Sequence, residues 1–295
     1  LEGGEGRTSA YVCEIPPQTS LKPQRHLYEE QIYILNGHGE TKMWAEGVPW
    51  QSFAWQEYGL FAVPVNVWHQ HKNTSDRPAR YVAITDAPLV FNLYRNQDFI
   101  FNCNFVFKDR YAGDRDYFDG MGKFIGEDLW EGGFIRNIKE LDLQKSIYGK
   151  GHRRLGLCLS KNSWGAHVGG IEVGGYKKAH RHQGGAHIII AEGTGYASMW
   201  QEGGEMKKLN FQKGSIYSPP EGWWHTHFNT GTEVVLQVAF RTLAGKAVGK
   251  NYHSRISVKK GGDMLELEDE DPEIRRVFEE ELSKKGIKCT MPEVR

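Results

Sequence analysis

The sequence has no uninterrupted apolar run long enough to span a bilayer, and its 37 basic and 37 acidic residues leave no net charge. A neutral chain without a basic cluster gives no reason to expect nucleic acid or an anionic membrane as a partner. The four cysteines are scattered without a CxxC pair, and the first seven residues do not look like a secretory signal. We therefore expect a reduced, cytoplasmic protein.

Signatures of several enzyme classes are also missing. There is no Gly-x-Ser-x-Gly elbow and no catalytic cysteine signature, which argues against Ser- or Cys-based hydrolysis. The Gly37-x-Gly39 and Gly193-x-Gly195 pairs do not open a helix within a dinucleotide fingerprint, so we interpret them as turns. With 295 residues, 39% of them hydrophobic, the chain is long enough for two domains with cores of their own.

An internal repeat at an offset of 156 residues superposes residues 24–26 on 180–182 and residues 68–74 on 224–230 without a gap. The identical residues at this offset include Gly37 and Gly193, Met43-Trp44 and Met199-Trp200, Pro64 and Pro220, Trp68-His69 and Trp224-His225, and the set of His71, Asn73 and Thr74 that falls on His227, Asn229 and Thr230. So many coincidences at one offset indicate a duplicated module. We place the boundary near residue 130, with a first module and connector over residues 1–130 and a second module and tail over 131–295.

Each copy of the repeat predicts short strands between turns. Gln31–Leu35 and Ile188–Ala191 are aliphatic runs that end in Gly-x-Gly turns, and Tyr81–Thr85 and Val234–Phe240 follow Asn-Thr turns. Regularly spaced strands with such turns predict an all-β sandwich or barrel.

Outside the repeats, residues 99–101 and 105–107 alternate as half-buried strands do, and residues 111–133 are typical of a connecting excursion. Near the C-terminus, Pro272 is well placed for the first turn of a helix that continues through Ile274–Lys285. We therefore expect two short strands between the repeats and a short helix after them.

Three histidines of the second copy have the spacing of metal ligands. His180 and His182 are two residues apart on a predicted strand, so both can face the same interior. His225 follows a Pro-Glu-Gly turn at residues 220–222. Neutral imidazole is a versatile ligand for Fe, Zn, Cu and Ni. His227 and its equivalent His71 either support a ligand imidazole or are polar residues at a strand end.

The first copy carries a different candidate metal site, formed by Gln24, His26, Glu30 and His69. Glutamine is a weaker ligand than histidine, but a mixed oxygen and nitrogen site suits Mn or Fe. The alternative is a decayed site that has become a hydrogen-bonded polar core.

These spacings resemble the two sequence motifs of the cupin family. In the second copy every named position of the second motif is present, as Gly214, Pro220, Gly222, His225 and Asn229. In the first copy Asn66 replaces a glycine of that motif, a mild change because Asn tolerates positive φ. The resemblance implies an all-β fold of two tandem cupin barrels, each a double-stranded β-helix or jelly roll, with a short C-terminal helix. It also implies a homo-oligomer.

Ala186 stands where most cupins place a glutamate ligand. In this feature, and in the run Trp224-His225-x-His227-x-Asn229, the second copy resembles gentisate 1,2-dioxygenase and its salicylate- and hydroxynaphthoate-cleaving relatives, which use three histidines to hold Fe(II). Three neutral ligands leave the charge of the iron uncompensated, so an anionic substrate and O₂ can bind beside each other.

Two departures from those enzymes concern the substrate. Ile188 takes the place of their carboxylate-binding arginine, and the three-histidine set is in the C-terminal barrel rather than in the N-terminal one. An aromatic carboxylate is therefore not assured, and gentisate itself does not fit. Arg241 is a candidate substitute for the missing anion anchor.

The resemblance implies an Fe(II)-dependent dioxygenase that cleaves a hydroxylated aromatic ring or a related enolic substrate with O₂, with His227 assisting as acid or base.

His187 would be a fourth ligand if the Gly184-Gly185 pair forms a bulge. Uninterrupted strand alternation, which we favour, would turn its side chain outward. Mn, Ni or Zn are alternative metals. The alternative functions are those of a metal-dependent isomerase, decarboxylase or aminohydrolase, or of a non-catalytic binding bicupin.

Overall fold

A computed structural model of the chain describes residues 2–145, 148, 151–241 and 253–294. By their contacts these residues form two compact units, the first made of residues 6–141 and 156–166, and the second of residues 2–5, 142–155 and those from 167 onward. The division is not one cut in the sequence, and the single boundary near residue 130 stays a prediction. Among the described helices, none combines the length and the hydropathy that crossing a membrane requires.

The first unit consists mainly of antiparallel strands, with two short helices after the seventh. In chain order the elements are β1 (Ser9–Ile15), β2 (Glu30–Asn36), β3 (His38–Ala45), β4 (Val48–Gln56), β5 (Leu60–Val63), β6 (Trp68–Asn73), β7 (Ala79–Thr85), α1 (Ala87–Tyr94), α2 (Gln97–Asn102), β8 (Lys123–Gly126), β9 (Leu129–Gly132) and β10 (Phe134–Ile135). One sheet has the order β1-β7-β2-β5-β10 and the other the order β4-β3-β6. The aromatic side chains of Phe53, Phe61 and Phe134 belong to the core of this unit.

The second unit repeats this arrangement and ends in a longer helix. Its elements are β11 (Gln144–Lys145), β12 (His152–Leu159), β13 (Gly165–Ile171), β14 (Tyr176–His180), β15 (His187–Glu192), β16 (Thr194–Trp200), β17 (Lys207–Gln212), β18 (Ile216–Tyr217), β19 (Trp224–Asn229), β20 (Val235–Arg241) and α3 (Pro272–Ser283). The strands β14-β19-β16-β17 form one sheet, and β18-β15-β20-β13-β12 are neighbours in the other. The expectation of an all-β fold with two cupin barrels and a C-terminal helix is confirmed.

Equivalent turns of the two units require the residues that the repeat keeps. Gly37 and Gly193 both have a φ of +85°. A β-carbon on Gly37 would lie 2.7 Å from that of Ala79, and one on Gly193 would lie 2.9 Å from the backbone of Val235, so only glycine fits without a shift. Asn66, which replaces a motif glycine, has a φ of +59°, as its tolerance of this region predicts.

The helix α3 has the predicted start and a buried face. The side chain of Asp271 accepts a hydrogen bond from the backbone N–H of Glu273, and Pro272 occupies the first turn. Ile274, Phe278 and Leu282 are buried at intervals of four residues. The predicted helix over Ile274–Lys285 is therefore confirmed, with its end at Ser283.

The two strands predicted between the repeats are wrong. Residues 99–101 lie in α2, because the side chain of Asn96 accepts a hydrogen bond from Phe99 N–H and caps a helix there. Only Ile100 of that run is buried, whereas Phe99 is 45% exposed, so the alternation of aromatic residues did not reflect a half-buried strand. Residues 105–107 form no strand, and Phe105 is 62% exposed.

Candidate metal centres

The three histidines predicted as ligands in the second unit lie together. Their ligand nitrogens are all within 4.8 Å of one another, and the rings of His180, His182 and His225 are buried. His180 pairs directly with His225 between β14 and β19, which brings their ring centroids to 4.3 Å. The ring of His182 lies 4.8 Å from that of His225.

One local expectation about this site needs correction. β14 ends at His180, so His182 is not on the strand and strand alternation does not account for its position. The residue follows the strand in a loop, and its carbonyl accepts a hydrogen bond from Gly222 N–H, in the turn that precedes His225. A contact between two loops therefore brings His182 to the other two histidines.

Backbone carbonyls orient two of the three imidazoles. Nδ1 of His180 donates to the carbonyl of Lys178 over 3.0 Å, and Nδ1 of His225 donates to the carbonyl of Trp223 over 2.9 Å. A carbonyl can only accept, so the proton is on Nδ1 and the lone pair of Nε2 is left for a metal. The Nδ1 atom of His182 is buried and has no hydrogen-bond partner.

Burial keeps the three histidines of this centre in their neutral form. Desolvation lowers the pKa of His225 to about 3, with the charge of Lys177 as the next cause. Desolvation is also the main reason why the pKa values of His180 and His182 lie well below the ordinary value. Neutral imidazole is the form that binds metals, so the site is in a ligating state without a change of protonation.

A lysine that the sequence analysis did not single out lies beside the three histidines. Nζ of Lys177 is 2.8 Å from Nε2 of His180 and 4.2 Å from the ring centroid of Tyr148. Lys177 is opposite His227 in the register of β14 and β19, so both side chains are on the same face. Burial lowers the pKa of Lys177 well below its ordinary value, and the charge of Arg241 is the next cause. No local sequence pattern points to it, because Lys177 is three residues before His180 and faces the site only through a register irregularity between them.

His227 is close to the three histidines without being one of the converging set. Its ring centroid lies 5.5 Å from that of His225 and 6.1 Å from that of His180. Its Nδ1 is 2.9 Å from the hydroxyl of Tyr217, which fixes the orientation of the ring. Desolvation lowers the pKa of His227 well below the ordinary value.

His187 is not brought to the three histidines. Ile188 packs in a buried cluster with Met199, which is the cross-strand neighbour of His225. Side chains alternate along β15, so His187 lies on the face opposite to Ile188. Both Gly184 and Gly185 have positive φ, but they precede the strand and do not change the alternation within it.

The second candidate site in the first unit also converges. The ligand atoms of His26, Glu30 and His69 lie within 4.8 Å of one another. Oε2 of Glu30 is 3.8 Å from Nε2 of His26 and 4.0 Å from Nε2 of His69. All three of these atoms are buried without a hydrogen-bond partner. Buried polar atoms are rarely left unpaired, so three of them aimed at one point fit a bound cation.

The surroundings of this first-unit site hold its ligands in place. Nδ1 of His26 donates to the carbonyl of Tyr28, and Nδ1 of His69 donates to the carbonyl of Val67. The hydroxyl of Tyr11 donates to Oε1 of Glu30 over 2.5 Å. Gln24 is half-buried and pairs with His69 through two backbone hydrogen bonds of 3.0 and 2.9 Å.

Glu30 is a carboxylate in this site. Burial by itself would raise its pKa, but the nearby imidazoles of His26 and His69, together with the hydrogen bond from Tyr11, outweigh burial and lower the pKa to about 2. Burial lowers the pKa of His69 to about 3. A charged carboxylate with two imidazoles fits Mn(II) or Fe(II), whereas the three imidazoles of the second unit fit Fe, Ni, Zn or Mn without supplying charge.

The comparisons with known proteins agree with this architecture. Residues 11–85 match the family model of the cupin domain. No curated protein matches the sequence. Solved structures of oxalate decarboxylase are similar to the chain; one, from work on its substrate binding mode and reaction specificity switch, has a TM-score of 0.57 at 12% identity and covers 82% of this chain and 70% of its own.

Two further similar structures are of oxalate decarboxylase from Bacillus subtilis. One has a TM-score of 0.55 at 12% identity over 81% of this chain and 68% of its own. The other, from work on the Mn(II) centres of that enzyme, has a TM-score of 0.55 at 13% identity over 82% and 70%. At such identities the likeness shows the fold alone. Residues 11–85 therefore match a cupin domain, and across both units the chain has the fold of a bicupin.

Proposed function

We propose that this chain is a metal-dependent enzyme whose reaction centre is formed by His180, His182 and His225. The observation that carries the proposal is the convergence of three buried imidazoles within 4.8 Å, two of them with their Nδ1 protons committed to backbone carbonyls. A divalent ion at this position would polarise substrate oxygen atoms and offset substrate charge. The candidate ions are Fe(II) and Mn(II), with Ni and Zn as alternatives.

Decarboxylation of a small carboxylate is the reaction that the comparisons favour. The similar structures described above are oxalate decarboxylases, and one of them comes from work on Mn(II) centres. The chain itself offers groups for this chemistry. Nζ of Lys177, 2.8 Å from Nε2 of His180, can hold or deliver a proton beside the substrate. Isomerase or aminohydrolase chemistry would use the same groups.

Oxidative cleavage of a hydroxylated ring or an enolic substrate is the second candidate. It is favoured by Ala186, which leaves the centre with three neutral ligands, as in gentisate-type dioxygenases. In that reaction His227, held by the hydroxyl of Tyr217, would be the acid or base. The burial of all four histidines would keep bulk water from the reacting atoms.

We also propose that the first unit holds a second metal ion through His26, Glu30 and His69. The support is the set of three buried, unpartnered atoms that face one another there. Gln24 is the fourth member predicted from the repeat, through its side-chain oxygen. This ion would be Mn(II) or Fe(II), because a carboxylate with two imidazoles is a harder donor set than three imidazoles.

One experiment separates the two reactions. Full-length protein is loaded anaerobically with Fe(II) or with Mn(II) and given oxalate-type carboxylates and a panel of phenolic carboxylates, while CO₂ release and O₂ uptake are followed together. Decarboxylation releases CO₂ without stoichiometric loss of O₂, and ring cleavage consumes one O₂ for each substrate molecule and releases no CO₂. If no substrate gives either signal with either metal, both the decarboxylase and the dioxygenase proposals are wrong.

The predicted homo-oligomer and the predicted cytoplasmic location stay predictions. Light scattering coupled to gel filtration of the full chain would measure the first directly.

A further inference from the structure

The two carboxylate oxygens of Glu30 have different surroundings in the first unit. Oε2 is 3.8 Å from Nε2 of His26 and 4.0 Å from Nε2 of His69, and none of these three buried atoms has a hydrogen-bond partner among the described residues. Oε1 instead accepts a hydrogen bond of 2.5 Å from the hydroxyl of Tyr11. Only one oxygen of this candidate ligand is therefore aimed at the metal position.

Tyr11 reaches Glu30 from the outermost strand of its sheet. The strand β7 separates β1 from β2, and Tyr11, Ala83 and Ile32 lie in one row across these three strands. Directly opposed side chains share a face, and so do side chains two residues apart on one strand. Glu30 is therefore on the same face as Ile32 and Tyr11. The small side chain of Ala83 leaves room for the ring of Tyr11 to cross β7.

A buried aromatic neighbour holds the ring of Tyr11. The ring of Tyr81 meets it edge-on at a centroid distance of 6.4 Å, and Tyr81 is 3% exposed in the core of the unit. Tyr11 itself is 39% exposed, so its hydroxyl is the inner end of a side chain that begins at the surface. A carboxylate that accepts a hydrogen bond from a group held in this way has a fixed orientation.

The second unit has neither member of this pair. At the offset of 156 residues Ala186 takes the place of Glu30 and His167 takes the place of Tyr11, while the alanine between them on the central strand is kept. A tyrosine is thus present only in the unit in which a carboxylate accepts its hydrogen bond. This supports a role of Tyr11 that depends on Glu30 and not on the packing of the sheet alone.

We propose that Tyr11 is a positioning residue of the first-unit metal centre. Its hydroxyl holds Oε1 and so makes Glu30 a ligand with a single oxygen, which leaves the other coordination positions of the ion to other ligands. The edge strand β1 thereby becomes part of the centre, although it contributes no ligand. This inference rests on the second metal ion proposed above, and the two can fail separately.

The test follows Mn(II) by electron paramagnetic resonance in the full-length chain that carries His180→Ala, so that only the first-unit centre takes up the ion. Tyr11→Phe removes the hydroxyl and keeps the ring. Without its donor Oε1 can turn to the ion, and a second ligand oxygen changes the zero-field splitting of Mn(II). We expect the spectrum of the bound ion to change and the affinity for Mn(II) to fall about 10-fold, as for other groups that orient a ligand.

Tyr117→Phe is the matched control in the same background. Tyr117 belongs to the same unit, and its buried hydroxyl has no hydrogen-bond partner among the described residues. We expect this variant to keep the spectrum of the parent chain and an affinity within about 2-fold of it. A general loss of stability would weaken Mn(II) binding without changing the spectrum of the ion that is bound, so the spectrum separates positioning from a structural role.

Hydrogen exchange in the unsubstituted chain gives a second measurement that requires no variant to fold. A metal ion that fixes Glu30 also restrains Tyr11, so the amides of β1 should exchange about 3-fold or more slowly with Zn(II) than without it. The strand β4, which is the outermost strand of the other sheet in this unit, contributes no group that contacts the ligands. Its exchange should change less than about 2-fold.

The outcomes distinguish this inference from the proposed second metal ion. If the His180→Ala chain binds no Mn(II), the proposed ion is wrong and the positioning role is wrong with it. If the chain binds Mn(II) and Tyr11→Phe leaves the spectrum unchanged, only the inference is overturned. If Tyr11→Phe does not fold, the exchange of β1 decides the matter, and equal exchange with and without metal would overturn the inference.

Discussion

The two barrels carry metal-binding constellations at equivalent positions of one repeat, but they differ in where the negative charge comes from. In the first unit Glu30 supplies a buried carboxylate, and the aromatic side chains of Tyr11 and Tyr81 lie near it. In the second unit Ala186 occupies the place of that carboxylate, and buried His167 and Gln237 take the places of Tyr11 and Tyr81. A site that contains its own counter-charge can hold a metal at rest, whereas a site without one needs a ligand to complete it.

The two units also differ in the hydrogen bonds that their candidate metal-ligand atoms make. In the first unit both Nε2 atoms and Oε2 of Glu30 have no hydrogen-bond partner. In the second unit Nε2 of His180 is hydrogen-bonded to Lys177. A metal in the second unit therefore competes with the amino group of Lys177, and we expect it to bind less tightly than the metal in the first.

Loss of one imidazole from each site should have the largest effect. We expect His26→Ala and His180→Ala each to weaken metal binding by about 1,000-fold at the altered site only, because a lost ligand costs more than the about 10- to 100-fold of a supporting group. Metal per chain, measured by mass spectrometry after gel filtration, should drop in each variant by the share of one site. His187→Ala is the control and should keep all metal. Retention of full metal by both ligand variants would refute the assignments.

The titration of Glu270, a buried carboxyl group of the second unit, should have the next largest effect, which is on the free energy of unfolding. Glu270 accepts hydrogen bonds from Ala179 N–H and from the hydroxyl of Tyr176, and burial raises its pKa to about 7 from an ordinary value of 4.5. The folded state therefore holds this proton more tightly than the unfolded state does. Its stabilising contribution is complete below about pH 4.5 and is lost as the pH rises through about 7, at a cost of about 3 kcal/mol.

The measurement is the free energy of unfolding of the second unit between pH 5 and 8. Glu270→Gln should flatten the decline in stability over this interval, and the exposed Glu205→Gln should leave it unchanged. A decline of the same size in Glu270→Gln would show that another group is responsible. Asp86 gives the first unit a parallel, since burial raises its pKa to about 7 as well.

Returning the missing carboxylate to the second unit should make the two barrels more alike. We expect Ala186→Glu to strengthen metal binding in the second unit about 10-fold and to weaken binding of carboxylate ligands by a similar factor, because the added charge is of the same sign as theirs. Ala186→Gln has nearly the same size without the charge and should weaken both. Titrations with Zn(II) and with benzoate would measure the two effects, and stronger carboxylate binding by Ala186→Glu would contradict the comparison.

Removing the hydroxyl group that orients His227 should have the smallest effect on activity and stability. Tyr217 holds Nδ1 of His227, whereas the first unit has Phe61 at the equivalent position and His71 is bonded to Thr41 instead. We expect Tyr217→Phe to lower stability by about 1 kcal/mol and to lower kcat a few-fold with little change in KM. Tyr196→Phe is the matched control, because its buried hydroxyl has no partner to lose. An unchanged kcat would remove His227 from the reaction.

Much of the fold followed from the sequence because a repeat keeps the residues that its turns and sites require. Gly37 and Gly193 sit at turns with positive φ, and His225 is paired across the sheet with His180. These features depend on short spacings and on backbone conformations that few residues can adopt. The helix α3 could be predicted for the same reason, since Asp271 and Pro272 mark its start locally.

The rest depended on contacts between distant residues. His182 reaches the metal centre from a loop that is held by the turn before His225, and no local pattern encodes that contact. The segment around Phe99 was misassigned because alternating aromatic residues occur in an amphipathic helix turn as well as in strands. Lys177 could not be connected to the site without the register of β14 with β19.

The segment 156–166 has a consequence for how this duplicated gene can be divided. It follows residues 142–155 of the second unit in sequence, yet it belongs to the first, where the backbone and hydroxyl of Ser163 donate to the carboxylate of Glu29 and the carbonyl of Trp164 accepts from Gln31. A fragment that stops at residue 141 would bury Glu29 without these donors. The two halves are therefore copies in ancestry but not interchangeable parts, and recombination or truncation between them has to preserve this returning segment.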